Sequence, residues 1–368
     1  MSQPDAATSR AACTFVWRGH ASDVAVQHAI RGFPQPLRMR RARGADRWRA
    51  SIDVPRGSRI EYRLLIRHGG HVENVLDPEN PRIATGPAGE MSVLLADGYE
   101  TPVWAERIDS VPRGELVDVQ IPSAALTADA HVTVYVPADA HARESLPLLV
   151  MHDGTDYLRH SAFATVLDNL MHRNLVARCV VALTDPVDRL RHYAADPAHT
   201  QFVLDELVPA LAARFALRGD PGGLVLGGAS FGAVASLAVA VDAPGRIGGL
   251  LLQSASLRDS VPDGAHPAAG AFAPVLRFVG ELRARPHRVT PRIFQSFGAF
   301  EPLADPNRAI APVLRGLADE VLSVEGLDGH NWTAWRDRLA DGLMWLLPGE
   351  ERADAVTGAA VGERATNA

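Results

Sequence analysis

The stretch "GLVLGGASFGAVASL" (Gly223–Leu237) decides how this chain is read. A short apolar run bounded by glycine reads as a buried strand. The run breaks at Gly227-Gly228-Ala229-Ser230-Phe231-Gly232 and resumes as a helix-like pattern over about residues 232–241. A sharp strand-to-helix turn with one serine at its corner accounts for both halves. Gly228 and Gly232 frame Ser230 as G-x-S-x-G. The glycines permit a turn too tight for larger side chains, and that turn lifts the hydroxyl clear of the sheet edge. A glycine-rich loop that merely contains a serine also fits five residues, so the rest of the chain has to supply a base, an acid and oxyanion donors.

Around this turn, strands alternate with helices. "LPLLVMHDG" (Leu146–Gly154), "CVVAL" (Cys179–Leu183), "GLLLQS" (Gly249–Ser254), "RIFQSFG" (Arg292–Gly298) and "EVLSVEG" (Glu320–Gly326) read as strands, preceded by "HVTVYVP" (His131–Pro137). Helical spacing covers about residues 162–175, 202–215, 274–284, 307–318 and 333–346. Near-continuous apolar strands between helices predict a mostly parallel sheet covered on both faces, an α/β domain over residues 119–347. Residues 11–104 differ. "CTFVW", "DVAVQH", "RWRASIDV" and "RIEYRLLIR" are strand-like and separated by turn residues, which predicts a small N-terminal β-sandwich. Residues 105–118 read as a linker, residues 1–10 as a disordered start and residues 348–368 as a disordered tail.

Composition narrows the function. The chain has 368 residues, a net charge of −6 and no lysine, so every fixed cation is an arginine. No basic footprint for nucleic acid is visible. No run approaches the roughly 18 apolar residues of a membrane span. The N-terminus carries no signal-peptide pattern, so the cytoplasm is the expected location. Two cysteines, Cys13 and Cys179, lie far apart among apolar neighbours and are expected as buried free thiols. His152, Asp153, His160, Asp185, Asp188, His192 and His199 lack the short regular spacing of a metal site, so neither metal nor cofactor is expected.

Working residues of an open α/β sheet lie beyond the carboxyl ends of its strands. Glu301 follows the strand Arg292–Gly298, and His330 follows Glu320–Gly326. The chain order is therefore Ser230, Glu301, His330, a nucleophile, acid and base in an order a serine hydrolase uses. Asp305 is the alternative acid, four residues further from its strand. Asp328 lies only two residues before His330, too close to meet the ring squarely. The Phe231 N–H, next to the nucleophile, and the Thr155 N–H, beyond the Gly154 bend, are the expected oxyanion donors. Asp153, Arg189 and Trp332 are candidate substrate-binding residues. Arg189 is equally readable as a surface cation.

These stretches resemble the enterochelin (enterobactin) esterase family within the wider esterase group of α/β-hydrolases. The resemblance is carried by "HDGTDYL" (His152–Leu158), "DPVDRLRHYAAD" (Asp185–Asp196), "GGASFGAVASL" (Gly227–Leu237) and "DGHNWTAWRDRL" (Asp328–Leu339). In the N-terminal half, "GSRIEYRL" (Gly57–Leu64), "LDPENP" (Leu76–Pro81) and "GYETPVW" (Gly98–Trp104) carry it, so it spans about residues 13–347. It implies an α/β-hydrolase fold behind a β-sandwich. It implies Ser230 as nucleophile, His330 as base and Glu301 as acid, with a small-molecule ester as substrate; ferric siderophore trilactones are the family's name-giving one. Position 233 is alanine where many members have glycine. Other acyl or carbohydrate esters, acyl transfer and a non-catalytic binding role stay open on the sequence, as does the oligomeric state.

Overall fold

The computed structural model describes residues 9–138, 140, 144–260, 270 and 272–349. The chain forms two compact units. The first comprises residues up to Thr101 together with Phe297–Ala304 and Glu325–Ala334; the second comprises Pro102–Ser296, Asp305–Val324 and the chain from Trp335 onward.

The first unit is a two-sheet sandwich. Its strands are β1 (Arg10–Arg18), β2 (Asp23–His28), β3 (Leu37–Arg38), β4 (Arg40–Arg41), β5 (Arg47–Pro55), β6 (Arg59–His68), β7 (His71–Val75), β8 (Ile83–Gly86) and β9 (Gly89–Leu95). One sheet has the order β1-β5-β4, the other β3-β2-β6-β9-β8 with β7 also paired to β6. β5 shows why these segments are strands. Trp48, Ala50, Ile52 and Val54 are buried while Arg47, Arg49, Ser51 and Asp53 are exposed, the period of two that a half-buried strand requires. Inward residues of both sheets share one core, in which Phe15 meets Tyr62 edge-on at 4.8 Å. Phe300, from far downstream, lies in that same core, and Ala299 and Leu327 pack against it.

The second unit is an eight-stranded sheet with helices. Its strands are β10 (Glu115–Ser123), β11 (Ala128–Val136), β12 (Leu148–His152), β13 (Val180–Thr184), β14 (Leu224–Ala229), β15 (Gly249–Gln253), β16 (Thr290–Gly298) and β17 (Ala318–Gly326). The order is β10-β11-β13-β12-β14-β15-β16-β17. β10 and β11 run antiparallel at one edge, and the neighbours from β13 through β16 are parallel. The helices are α1 (Gly154–His160), α2 (Phe163–His172), α3 (Arg189–His192), α4 (Pro197–Gln201), α5 (Val208–Ala212), α6 (Phe231–Asp242), α7 (Phe272–Ala284), α8 (Ala304–Leu317), α9 (Trp332–Asp337) and α10 (Leu339–Leu346). Every residue of β12, β13 and β15 is buried, as a strand covered on both faces must be. This is the α/β-hydrolase fold, with a separate N-terminal antiparallel sheet unit before it.

Several boundaries differ from the sequence reading. The expected linker 105–118 ends early, because Glu115 opens β10. That strand alternates, with Val119, Ile121 and Ser123 buried between exposed neighbours, and an edge strand tolerates its Pro122. Arg10 of β1, inside the expected disordered start, pairs with Pro55, and residues 1–8 of that start lie outside the described residues. At the other end, Pro348 bridges Val176 and the Gly349 N–H donates to Leu175, both inside the expected tail; residues 350–368 lie outside the described residues. So do residues 261–269 of the Arg258–Gly270 loop. The helix expected over 333–346 is two helices broken at Arg338 (φ −109°, ψ 1°). The one expected over 202–215 is a π-helical segment, Phe202–Leu207, followed by α5. Cys13 and Cys179 are buried free thiols.

Candidate active site

β14 ends at Ala229 and α6 begins at Phe231, so Ser230 alone makes the corner. Its backbone sits at φ 57° and ψ −116°, a conformation that L-residues reach only under strain. Neighbouring strand ends hold it there. The Ser230 N–H donates to the Gln253 carbonyl at 2.9 Å, and its carbonyl accepts from the Ser256 N–H at 3.1 Å. The glycine at 228 is sterically required: a Cβ there would lie 2.7 Å from the Gly232 carbonyl carbon. The Ser230 hydroxyl is partly exposed and lies 3.0 Å from the Ser256 hydroxyl. Phe231 opens α6, so its N–H has no acceptor within the helix.

Beneath this turn lies a buried polar cluster that the sequence reading did not single out as structural. His152, at the end of β12, places Nδ1 2.9 Å from the Gly227 carbonyl and 3.0 Å from the Ser236 hydroxyl. A carbonyl only accepts, so Nδ1 carries the proton. His152 Nε2 lies 2.8 Å from His199 Nε2; His152 is then the acceptor and His199 the donor. This chain of bonds needs both rings neutral. Burial pushes the His152 pKa down, and it pushes that of His199 well below the ordinary value, the closeness of the His152 and His192 rings adding to the effect. Periodicity gives no signal for such a cluster, because its members come from β12, α4 and α6.

The residues expected as acid and base occupy the loops after β16 and β17. Glu301 is fully buried, and its Oε2 lies 3.2 Å from His330 Nδ1. The His330 ring is about a third exposed. With Nδ1–H donating to the carboxylate, Nε2 keeps its lone pair for accepting a proton. Asp305 is exposed and pairs with Arg308 at 2.7 Å, so the structure couples the imidazole to Glu301. Asp328 is buried, and its carbonyl accepts from the Phe300 N–H.

Other expected residues land differently. The Thr155 N–H donates to Asp185 Oδ1 at 3.0 Å, and the Thr155 hydroxyl bonds the other oxygen of that carboxylate. The expected oxyanion donor at 155 is thus already engaged. That Asp185, thirty residues downstream just beyond β13, engages Thr155 is not legible in the sequence. Asp153 and Arg189 hold each other in a two-point ion pair at 2.8 and 2.7 Å. The Arg189 guanidinium also lies 6.0 Å from the Phe231 ring centre. Trp332 is half-buried at the start of α9. Among the described residues no group of three or more His, Cys, Asp or Glu side chains is arranged to hold a metal ion. Among them, no helix is long and apolar enough to cross a membrane.

The family described as "Putative esterase" matches residues 123–346. The chain belongs to this esterase family. It is a carboxylic-ester hydrolase. Among curated proteins, it is 27% identical over 345 residues to an iron(III) enterobactin esterase of Escherichia coli O6:H1, covering 85% of this chain and 82% of that one. The corresponding protein of Dickeya dadantii is 27% identical over 223 residues, 56% of this chain and 48% of its own. Among solved structures, the enterobactin esterase of Shigella flexneri, crystallised in the presence of enterobactin, superposes with a TM-score of 0.73 at 22% identity. That match covers 92% of this chain and 93% of the other. A ferric enterobactin esterase of Salmonella typhimurium also gives 0.73, at 23% identity over 94% and 95%. At this identity the structural matches speak for the fold.

Proposed function

We propose that this esterase works through Ser230 as nucleophile, His330 as general base and Glu301 as the acid that orients it. The observation that carries the reading is the Ser230 corner, a strained positive-φ serine between β14 and α6. Such strain persists only where surrounding contacts impose it, and it is concentrated at working residues. The His330–Glu301 bond supports the other two roles.

The chemistry follows from these groups. His330 Nε2 takes the Ser230 proton as Oγ attacks the ester carbonyl. Glu301 holds the tautomer and stabilises the imidazolium. The Phe231 N–H donates to the developing oxyanion. The imidazolium then protonates the leaving alkoxide, and an acyl-serine remains. Water, activated by the same imidazole, attacks the acyl carbonyl and releases the acid and the free serine.

The substrate class we propose is the ester bonds of a ferric siderophore lactone, with iron as part of the substrate. The Escherichia coli relative named for iron(III) enterobactin aligns over 85% of this chain, more than the hydrolase domain alone. Ferulic acid esterases of the same fold cover about two thirds of this chain, 64% and 66%. Arg189, fixed by Asp153 beside Phe231, supplies a cation suited to an anionic or catechol-bearing acyl group. Hydrolysis of a ferric trilactone siderophore, a feruloyl ester and p-nitrophenyl esters of rising chain length should be compared. The reading expects kcat/KM for the trilactone to exceed the others by orders of magnitude. A preference for short simple esters with no siderophore turnover would overturn the substrate and leave the chemistry standing.

A further inference from the structure

We propose that Arg59, on strand β6 of the N-terminal sandwich, is a positioning residue for the catalytic base, and that the sandwich is therefore a working part of the esterase. The proposal rests on the reading of His330 and Glu301 as base and acid.

The loops that carry those two residues belong to the same compact unit as the sandwich. Only 5% of the Arg59 side chain is exposed, on a strand whose Ile60, Tyr62, Leu64 and Ile66 are in the sandwich core. Its Nη1 donates to Glu61 at 2.8 Å and to Asn331 Oδ1 at 3.2 Å. Its backbone N–H donates to the Leu327 carbonyl at 3.0 Å. One residue of β6 therefore grips the segment 327–331 at both ends, and His330 lies between. Asn331 Oδ1 also accepts the Ala334 N–H at 2.9 Å, which caps the start of α9 and fixes where the loop ends.

The acid loop is held in the same way. The Arg31 N–H donates to the Phe300 carbonyl at 3.0 Å, and the Phe300 ring is in the sandwich core one residue before Glu301. Ala299 donates to Gly326 at 2.7 Å and Phe300 to Asp328 at 3.0 Å, tying the two loops together. Gly86 of β8 leaves only van der Waals room beside the Trp332 ring, 3.5 Å from a Cβ placed there.

A buried guanidinium is costly unless its donors are used. Arg59 uses its donors on Glu61 and on the residue next to the base. Both bonds leave from Nη1, whose N–H groups lie in the guanidinium plane and so set direction as well as distance. A loop without that tie keeps its strand and helix ends but not the ring position, and a displacement of about 1 Å at a reacting group can cost around 100-fold in rate.

The test compares Arg59→Met, Arg59→Lys, Asn331→Ser and the control Arg63→Ala, measuring kcat, KM and thermal midpoint with a p-nitrophenyl ester. The shorter serine side chain would keep the helix cap without reaching Arg59, so Asn331→Ser carries the test if Arg59→Met fails to fold. The rate of Ser230 phosphonylation by a fluorophosphonate reports the base directly. Arg59→Met and Asn331→Ser should lower kcat about 10- to 100-fold, slow phosphonylation in proportion and leave KM within about twofold. Arg59→Lys should recover part of the loss. Arg63, which bonds Asn74 and Glu90 from the same strand, should be silent when replaced. Wild-type kcat in both folded variants, or a raised KM at unchanged kcat, overturns the positioning role while inactive Ser230→Ala and His330→Ala keep the triad. Undiminished turnover in those two alanine variants overturns the underlying reading.

Discussion

The proposed nucleophile and the proposed acid–base pair are built in different ways. Ser230 is placed by a strand, a turn and a helix that follow one another directly, and its backbone partners Gln253 and Ser256 come from the next strand's end. His330 and Glu301 are placed by residues far away in the chain, Arg31, Arg59 and a core that begins at Cys13. The first arrangement depends on local geometry, the second on long-range packing. Damage near Ser230 should therefore act through steric fit. Damage to the base side can come from a distant strand while leaving the serine corner intact.

The sharpest way to break this contrast is to remove the reacting groups. Ser230→Ala and His330→Ala should each lower kcat by about a million-fold, as expected for residues that act as a unit. An appreciable residual rate in either, measured by ester hydrolysis, would mean the two halves do not work together. Glu301→Gln keeps the shape but favours the wrong imidazole tautomer, with an expected loss of around 10⁴ in kcat. On the nucleophile side, Gly228→Ala puts a methyl group 2.7 Å from the Gly232 backbone. The expected cost is about 1–3 kcal/mol of stability, read by denaturant titration.

Acid should also separate the regions. His152 and His199 are depressed by burial, so the folded protein refuses protons that the unfolded chain takes up below about pH 6.5. Their contribution is complete above that pH and is lost as pH falls. The thermal midpoint should drop on acidification below about 6.5, and the drop should be shallower in His199→Phe. An equally steep drop in that variant would assign the acid sensitivity elsewhere, for instance to His28 in the sandwich, which burial also lowers. The smallest effect is expected at Asp305. Asp305→Asn removes an exposed ion pair with Arg308, which is worth little, and should leave kcat unchanged.

The same contrast explains what the amino-acid sequence discloses. The Ser230 corner is legible because the steric demand on Gly228 is local, a Cβ there meeting the Gly232 backbone. Glu301 and His330 are legible as strand-end residues, but the bond between them is not, and neither is the grip of Arg59 on Asn331. The engagement of Thr155 by Asp185 is hidden for the same reason: two adjacent strand ends bring them together across thirty residues. β10 is obscured by the proline and glycine of "SVPRGE" just before it and by its own Pro122, although its alternation is that of a half-buried edge strand.

The central claim is that Ser230 is made nucleophilic by His330. The most direct measurement is fluorophosphonate labelling of the wild-type chain and of His330→Ala, with the modified residue located by peptide mass spectrometry. The account predicts a single adduct on Ser230 in the wild type and a labelling rate at least about 1,000-fold slower without the imidazole. An adduct elsewhere, or equal labelling in both proteins, would contradict it.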